Sequence, residues 1–150
     1  MLPVTMRDHP APAPIPVAGA ERIPIRSDRD ILLARQRGRD LGRSIGFVAT
    51  DLTLIATAIS ELARNIVLYA REGVIELCVV SEDSRRGLVV VARDQGPGIA
   101  DIHRAMQDGY STSGGLGLGL PGVKRLMDGF EIQSRTGHGT TVQIAKWIRA

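Results

Sequence analysis

Leu52, Ile55, Ile59, Leu62, Ala63, Ile66 and Val67 recur at three- and four-residue spacing, so the chain after Thr50 or Asp51 predicts an amphipathic helix. A weaker pattern of the same period, Ile31, Leu32, Leu33, Ala34 and Leu41 among arginines, predicts an earlier helix. Ser27 or Asp28 would cap it, and it would run to about Ser44, with Gly42 and Gly46 loosening or ending it. Ahead of it, Arg22-Ile23-Pro24-Ile25-Arg26 alternates polar with apolar, and its proline suits an edge strand. Residues 74–81 and 88–93 predict a hairpin joined by the polar turn 82–87; the second run, apolar at nearly every position, reads as central in its sheet. A short helical piece around 99–107, a glycine-rich stretch, a helix to about Met127 and a hairpin of 130–135 with 140–148 complete the order.

Before Glu21 the texture differs. Pro3, Pro10, Pro12, Pro14 and Pro16, separated by small residues, predict a mobile leader over 1–20, which leaves 21–150 as a single domain. With 43% hydrophobic and 23% charged residues in 150, one ordinary core is expected, without internal repeats. No apolar run is read as reaching the roughly 18 to 20 residues of a membrane span, and no signal-peptide pattern opens the chain, so the cytoplasm is the expected compartment.

The net charge of +3 is mostly arginine, seven between Arg22 and Arg43, but interleaved with Glu21, Asp28, Asp30 and Asp40 as on a solvated helix face. Aromatics at 3% supply no stacking platform, which argues against nucleic-acid binding. Cys78 is alone, read as buried strand filling, and His9, His103 and His138 are too scattered for a metal triad.

Three segments carry candidate chemistry. In Glu61-Leu62-Ala63-Arg64-Asn65 the carboxylate and the amide lie one turn apart at the edge of the apolar stripe, where one could accept a proton and the other ligate Mg²⁺. Asp94-Gln95-Gly96-Pro97-Gly98-Ile99 follows the central strand, offering a fixed acceptor for a ligand amine beside glycines that let a flat ring approach. The run from Ser111 through Ser113, Gly114, Gly115, Leu116, Gly117, Leu118 and Gly119 to Gly122 exposes consecutive amides ahead of a helix, an arrangement suited to phosphates. Lys124 and Arg125 follow one turn later, as solvated charges or as assistants to that site.

Gly117 to Gly122 fits G-x-G-x-x-G, but a polar loop precedes it and Val142 stands where a dinucleotide fold needs an acid. A Walker A loop fails too, because Val123 and Lys124 follow Gly122 out of register.

The order helix, strand-end turn and glycine loop resembles the N, G1 and G2 boxes of the GHKL ATPase and kinase superfamily. Within it, the run from Tyr110 to Met127 and the short length resemble the RsbT-type serine kinases of bacterial partner-switching systems, over roughly residues 23–148. The resemblance implies a Bergerat fold: an α+β two-layer sandwich whose mixed, mostly antiparallel sheet is covered on one face by helices, with a lid over 102–116. It implies that Asn65 ligates Mg²⁺, Asp94 bonds the adenine amino group, Gly96 and Gly98 line the base pocket, and the loop from Gly115 to Gly119 wraps the phosphates of ATP, with Ile99, Ser113 and Gly114 also among the ATP-binding residues. Thr140 or Thr141 should stand beside Asp94, and Glu61 should act as general base toward a serine of a small STAS-domain antagonist. A phosphatase of the PP2C type or a sigma-pathway regulator is a second implied partner, and a homodimer stays open. Tyr69 departs from related anti-sigma kinases, which often carry His four residues beyond the Asn. Phosphorelay through a histidine of this chain is not expected, for lack of a dimerisation helix bearing one. The alternative reading is a nucleotide-dependent anti-sigma or partner-binding module with little or no kinase activity.

Overall fold

A computed structural model describes residues 4–7, 15–16, 19–99, 105–107 and 119–149. The strands are β1 (Val4–Arg7), β2 (Ile15–Pro16), β3 (Glu21–Ile25), β4 (Gly73–Glu82), β5 (Arg85–Asp94), β6 (Gly129–Arg135) and β7 (Gly139–Trp147). The helices are α1 (Asp28–Ile45), α2 (Ala49–Asn65) and α3 (Gly119–Leu126), and a π-helical turn, Ile66–Ala70, prolongs α2.

Each helix boundary has a local cause. At the start of α1, Asp30 Oδ2 accepts the Arg26 N–H at 2.8 Å, using a third-position acid to satisfy backbone ahead of the helix. At its end Gly46 takes φ 107°, a left-handed conformation, while Phe47 N–H donates to the Gly42 carbonyl and Gly46 N–H to that of Arg43, as in a Schellman stop. Gly42 therefore does not end the helix. It is buried, and with Gly38 it lets α2 approach: a Cβ at Gly42 would lie 2.8 Å from Leu52, and one at Gly38 would collide with Ile59.

The strands form one sheet in the order β1-β6-β7-β5-β4-β2, with β3 also paired to β4. Every described pairing is antiparallel, where the resemblance implies a mixed sheet. The β4–β5 turn is tighter than the sequence suggests. Only Asp83 and Ser84 lie between the strands, at φ 49° and 68°, the two positive values of a type I′ turn. Two pieces of the leader, expected to stay mobile, pair with the sheet: β1 with β6 and β2 with β4. Pro16 stands in an edge strand, where a missing N–H is tolerated.

Strand alternation sorts the side chains into two faces. Ile75 and Leu77 of β4, Leu88, Val90 and Ala92 of β5, Ile132 of β6, and Val142 and Ile144 of β7 meet Ile31 of α1, Ile55, Ile59 and Leu62 of α2 and Val123 of α3 in the main core. On the other face Val80, Val89 and Trp147 are buried in a smaller cluster, with the Arg85 guanidinium 4.3 Å from the Trp147 ring centre. Cys78 packs against that cluster and is half-buried, less enclosed than its apolar strand suggests; burial first, then the Glu76 carboxylate, pushes its thiol pKa up.

One expectation is corrected. The 22-residue segment Ala49–Ala70 contains an 18-residue stretch of mean hydropathy 1.3, long and apolar enough by composition to cross a membrane. Half of it is buried inside the domain, because Leu52, Ile55, Ile59 and Leu62 face the core. At the far side of the layer, buried Lys146 reaches from β7 to the Leu126 carbonyl at 2.8 Å and so ties the C-terminal end of α3 to the sheet.

Candidate active site

The last two turns of α2 present Glu61 and Asn65 because the helix rolls its apolar stripe onto the sheet and leaves these residues at its border. Glu61 is nevertheless buried, 6% exposed. Its Oε1 is held by Arg64 Nη1 at 2.7 Å, one turn on, which fixes the carboxylate's direction and leaves Oε2 as its other acceptor. Asn65 is half-buried at the point where the α-helical pitch gives way to the π turn.

That wide turn brings the helix end to the strand end. Ile66 lies where a Cβ on Gly73 would come within 2.9 Å of it, and Gly73 pairs with Asp94; Ala70 lies against Gly96, whose Cβ would sit 2.7 Å away. Asp94 and Thr140 are register partners on the helix-covered face of the sheet. Asp94 Oδ1 accepts the Gly96 N–H at 2.9 Å and the Thr140 N–H at 3.3 Å. Burial is the larger influence and pushes the Asp94 carboxyl up from the usual range; the two N–H donors partly offset it. Among the described residues both of these bonds fall on Oδ1.

Thr140, not Thr141, is therefore the residue beside Asp94. Thr141 pairs with Arg93 and Gln133, one position along, where side chains point to the other face. Gly96 and Gly98 also serve the packing of the turn itself. Their missing Cβ atoms face protein, toward Ala70 in one case and the Arg135 carbonyl in the other, and Gly98 adopts φ 76°. They let the turn pack tightly against those neighbours. Ile99 packs partly against the core, and its N–H donates to Ser134 Oγ at 2.7 Å.

The phosphate-loop residues Ser113, Gly114, Gly115, Leu116, Gly117 and Leu118, and the lid over 102–116 apart from 105–107, lie outside the described residues. The loop's exit is described. Gly119 opens α3 at φ 66°, a value suited to glycine, and α3 packs against α2. Lys124 and Arg125 stand in the last turn of α3, where cations complement the negative end of the helix dipole, not at the end from which the loop enters. Sequence reasoning passed over Arg64 and Ser134. Arg64 was visible as a base three residues after an acid on a helix. Ser134 carried no local signal.

The sequence pattern of the histidine kinase-like ATPase domain matches residues 27–146. This chain belongs to that family. Among its relatives, a serine/threonine-protein kinase RsbT of Bacillus subtilis (strain 168) is 54% identical over 125 residues, covering 83% of this chain and 94% of the relative. An anti-sigma F factor of Caldanaerobacter subterraneus subsp. tengcongensis is 33% identical over 104 residues, 65% of this chain and 71% of the relative. A crystal structure of the RsbU and RsbW domains of a Mycobacterium tuberculosis protein superposes with a TM-score of 0.60 over 89% of this chain at 18% identity; this chain spans about a third, 34%, of that one. That last likeness shows the fold. The expected superfamily, the α+β two-layer fold and the kinase-type nucleotide domain are thus borne out by family membership and relatives together.

Proposed function

We propose that this chain is an ATP- and Mg²⁺-dependent protein serine kinase of the RsbT type, acting in the cytoplasm on a small STAS-domain antagonist within a partner-switching pathway. The reading is supported by the packing of the π turn that follows Glu61 and Asn65 against the Asp94 end of β5, where Ala70 lies on Gly96, in a chain 54% identical to a serine/threonine-protein kinase. A PP2C-type phosphatase is the natural second partner, since a switch needs the phosphate removed again.

The residues suit the ligands. ATP supplies the phosphoryl group, and Mg²⁺ neutralises charge on the phosphates. Asp94 holds one oxygen on two backbone donors and keeps the other for the adenine amino group, so the base is oriented by a fixed acceptor. Asn65 offers a hard amide oxygen, and a Mg²⁺ ion bound chiefly through phosphates and water needs only one or two protein ligands. Gly115 to Gly119 would wrap the phosphates, with the start of α3 behind them. Glu61, held by Arg64, takes the proton from the partner's serine hydroxyl as that oxygen becomes a nucleophile.

The test is transfer from γ-phosphate-labelled ATP with Mg²⁺ to a STAS-domain partner, comparing wild type with Glu61→Gln. The variant is expected to bind nucleotide normally and to transfer about 10²- to 10⁴-fold more slowly. Equal transfer would remove Glu61 from the base role. A wild-type protein that binds ATP, binds the partner and labels nothing would instead be a nucleotide-tuned binding module.

A further inference from the structure

The turn from Asp94 to Ile99 is held at its Ile99 end by a hydroxyl 35 residues away, which also touches the residue that holds Asp94. Ser134 sits on β6, 2% exposed, on the helix-covered face of the sheet. Its Oγ accepts the Ile99 N–H at 2.7 Å, lies 2.9 Å from Thr140 Oγ1 and donates to the Gly139 carbonyl at 3.2 Å. With Thr140 Oγ1 as the donor of the second contact, Ser134 uses its proton and both lone pairs, the full capacity of a hydroxyl. Thr140 is the residue whose N–H holds Asp94 Oδ1. The same hydroxyl therefore fixes Ile99 directly and Asp94 through one intervening residue. A third tether, Gly137 N–H to the Pro97 carbonyl at 2.8 Å, joins the middle of the turn to the same hairpin.

We infer that Ser134 is a positioning residue for the nucleotide site: it clips the Asp94–Ile99 turn onto the β6–β7 hairpin and so sets where the Asp94 acceptor points. This rests on the nucleotide-site reading. A purely structural serine would stabilise the domain without tuning affinity. The distinction is testable because the turn carries the adenine acceptor whereas the core of the sheet lies elsewhere. Ser134→Ala removes the acceptor of the Ile99 N–H and the partner of Thr140 without adding volume. Ser134→Thr keeps the hydroxyl.

The experiment measures ADP and ATP dissociation constants for wild type, Ser134→Ala and Ser134→Thr by titration calorimetry, with binding stoichiometry and thermal melting recorded on the same samples. Amide hydrogen exchange at Ile99 is followed alongside. The expected result is an approximately tenfold weaker affinity for both nucleotides in Ser134→Ala at unchanged stoichiometry, the scale of one buried hydrogen bond, with recovery in Ser134→Thr. The Ile99 amide should exchange slowly in wild type, although it lies outside any strand, and quickly in Ser134→Ala. A Ser134→Ala protein that melts lower or binds with reduced stoichiometry but at the wild-type dissociation constant would overturn the inference. So would a fast-exchanging Ile99 amide in the wild type, a result that does not depend on how any variant folds. Wild type that binds no adenine nucleotide would refute the underlying site reading instead.

Discussion

Replacing Asp94 by Asn should separate binding from stability in opposite directions. In the folded chain Asp94 Oδ1 serves two backbone donors, Gly96 and Thr140, and an amide oxygen can keep both. The variant loses only the second carboxylate oxygen, which becomes an NH₂ group that, on the proposed reading, would face the adenine amino group. A hydrogen bond to a charged acceptor is worth about 1.5–3 kcal/mol, and two donors left facing each other add about 1–3 kcal/mol. Nucleotide affinity should fall about sixtyfold or more, since each 1.4 kcal/mol is about tenfold. The apo protein should melt no lower than wild type, because the substitution removes a carboxylate whose burial disfavours its charge. The pH dependence follows from the same shift. The folded carboxyl keeps its proton to a higher pH than the unfolded one, so this group's contribution is full below about pH 4 and declines as pH rises toward the raised folded value. Wild type should show that decline and Asp94→Asn should not, while wild-type nucleotide affinity should weaken on acidification from a higher pH than an ordinary aspartate would give. Calorimetric titration and melting curves over pH 4 to 8 provide the comparison. A variant that binds ADP as well as wild type, or that melts well below it, would refute the account of Asp94.

Two further outcomes follow from packing and from the thiol. Gly38→Ala should destabilise the domain by about 1–3 kcal/mol in chemical denaturation, even though alanine is the better helix former by about 1 kcal/mol, because its Cβ would meet Ile59 of α2; a more stable variant would show that the two helices are not pressed together there. Cys78 should react slowly with a disulfide reagent at neutral pH and faster as pH rises, given its raised pKa, and rapid stoichiometric labelling at pH 7 would contradict its placement.

Much of this architecture was legible because two periods dominate the chain. The Leu52 to Val67 stripe gave α2, and the apolar run of 88–93 gave a strand that does lie inside the sheet, between β4 and β7. What stayed hidden depends on backbone or on distance in sequence. Pairing of Val4–Arg7 with β6 needs only amides and carbonyls, so a proline-rich composition conceals it. Asp83-Ser84 is not among the strongest type I′ pairs, and the longer polar stretch around it blurred the turn. Gly96 and Gly98 were read in the sequence as glycines that a flat ring could approach, but which protein neighbour a Cβ would meet is a tertiary fact. Thr140 and Thr141 were indistinguishable until register assigned one to each face. Ser134 could not be read at all, since its partners Ile99 and Gly139 flank it from different hairpin and turn positions.

The π turn at Ile66–Ala70 makes the site sensitive to chain length as well as to side-chain identity. It holds one residue more per hydrogen-bonded ring than the helix it extends, and that surplus is what seats Ala70 on Gly96 while Asn65 stays at the helix border. Deleting any one residue from this stretch would restore ordinary pitch and swing every later position by about 100°. Ala70 would leave its seat on Gly96, so a one-residue gap here would loosen the site in a chain that still spelled every one of its chemical groups.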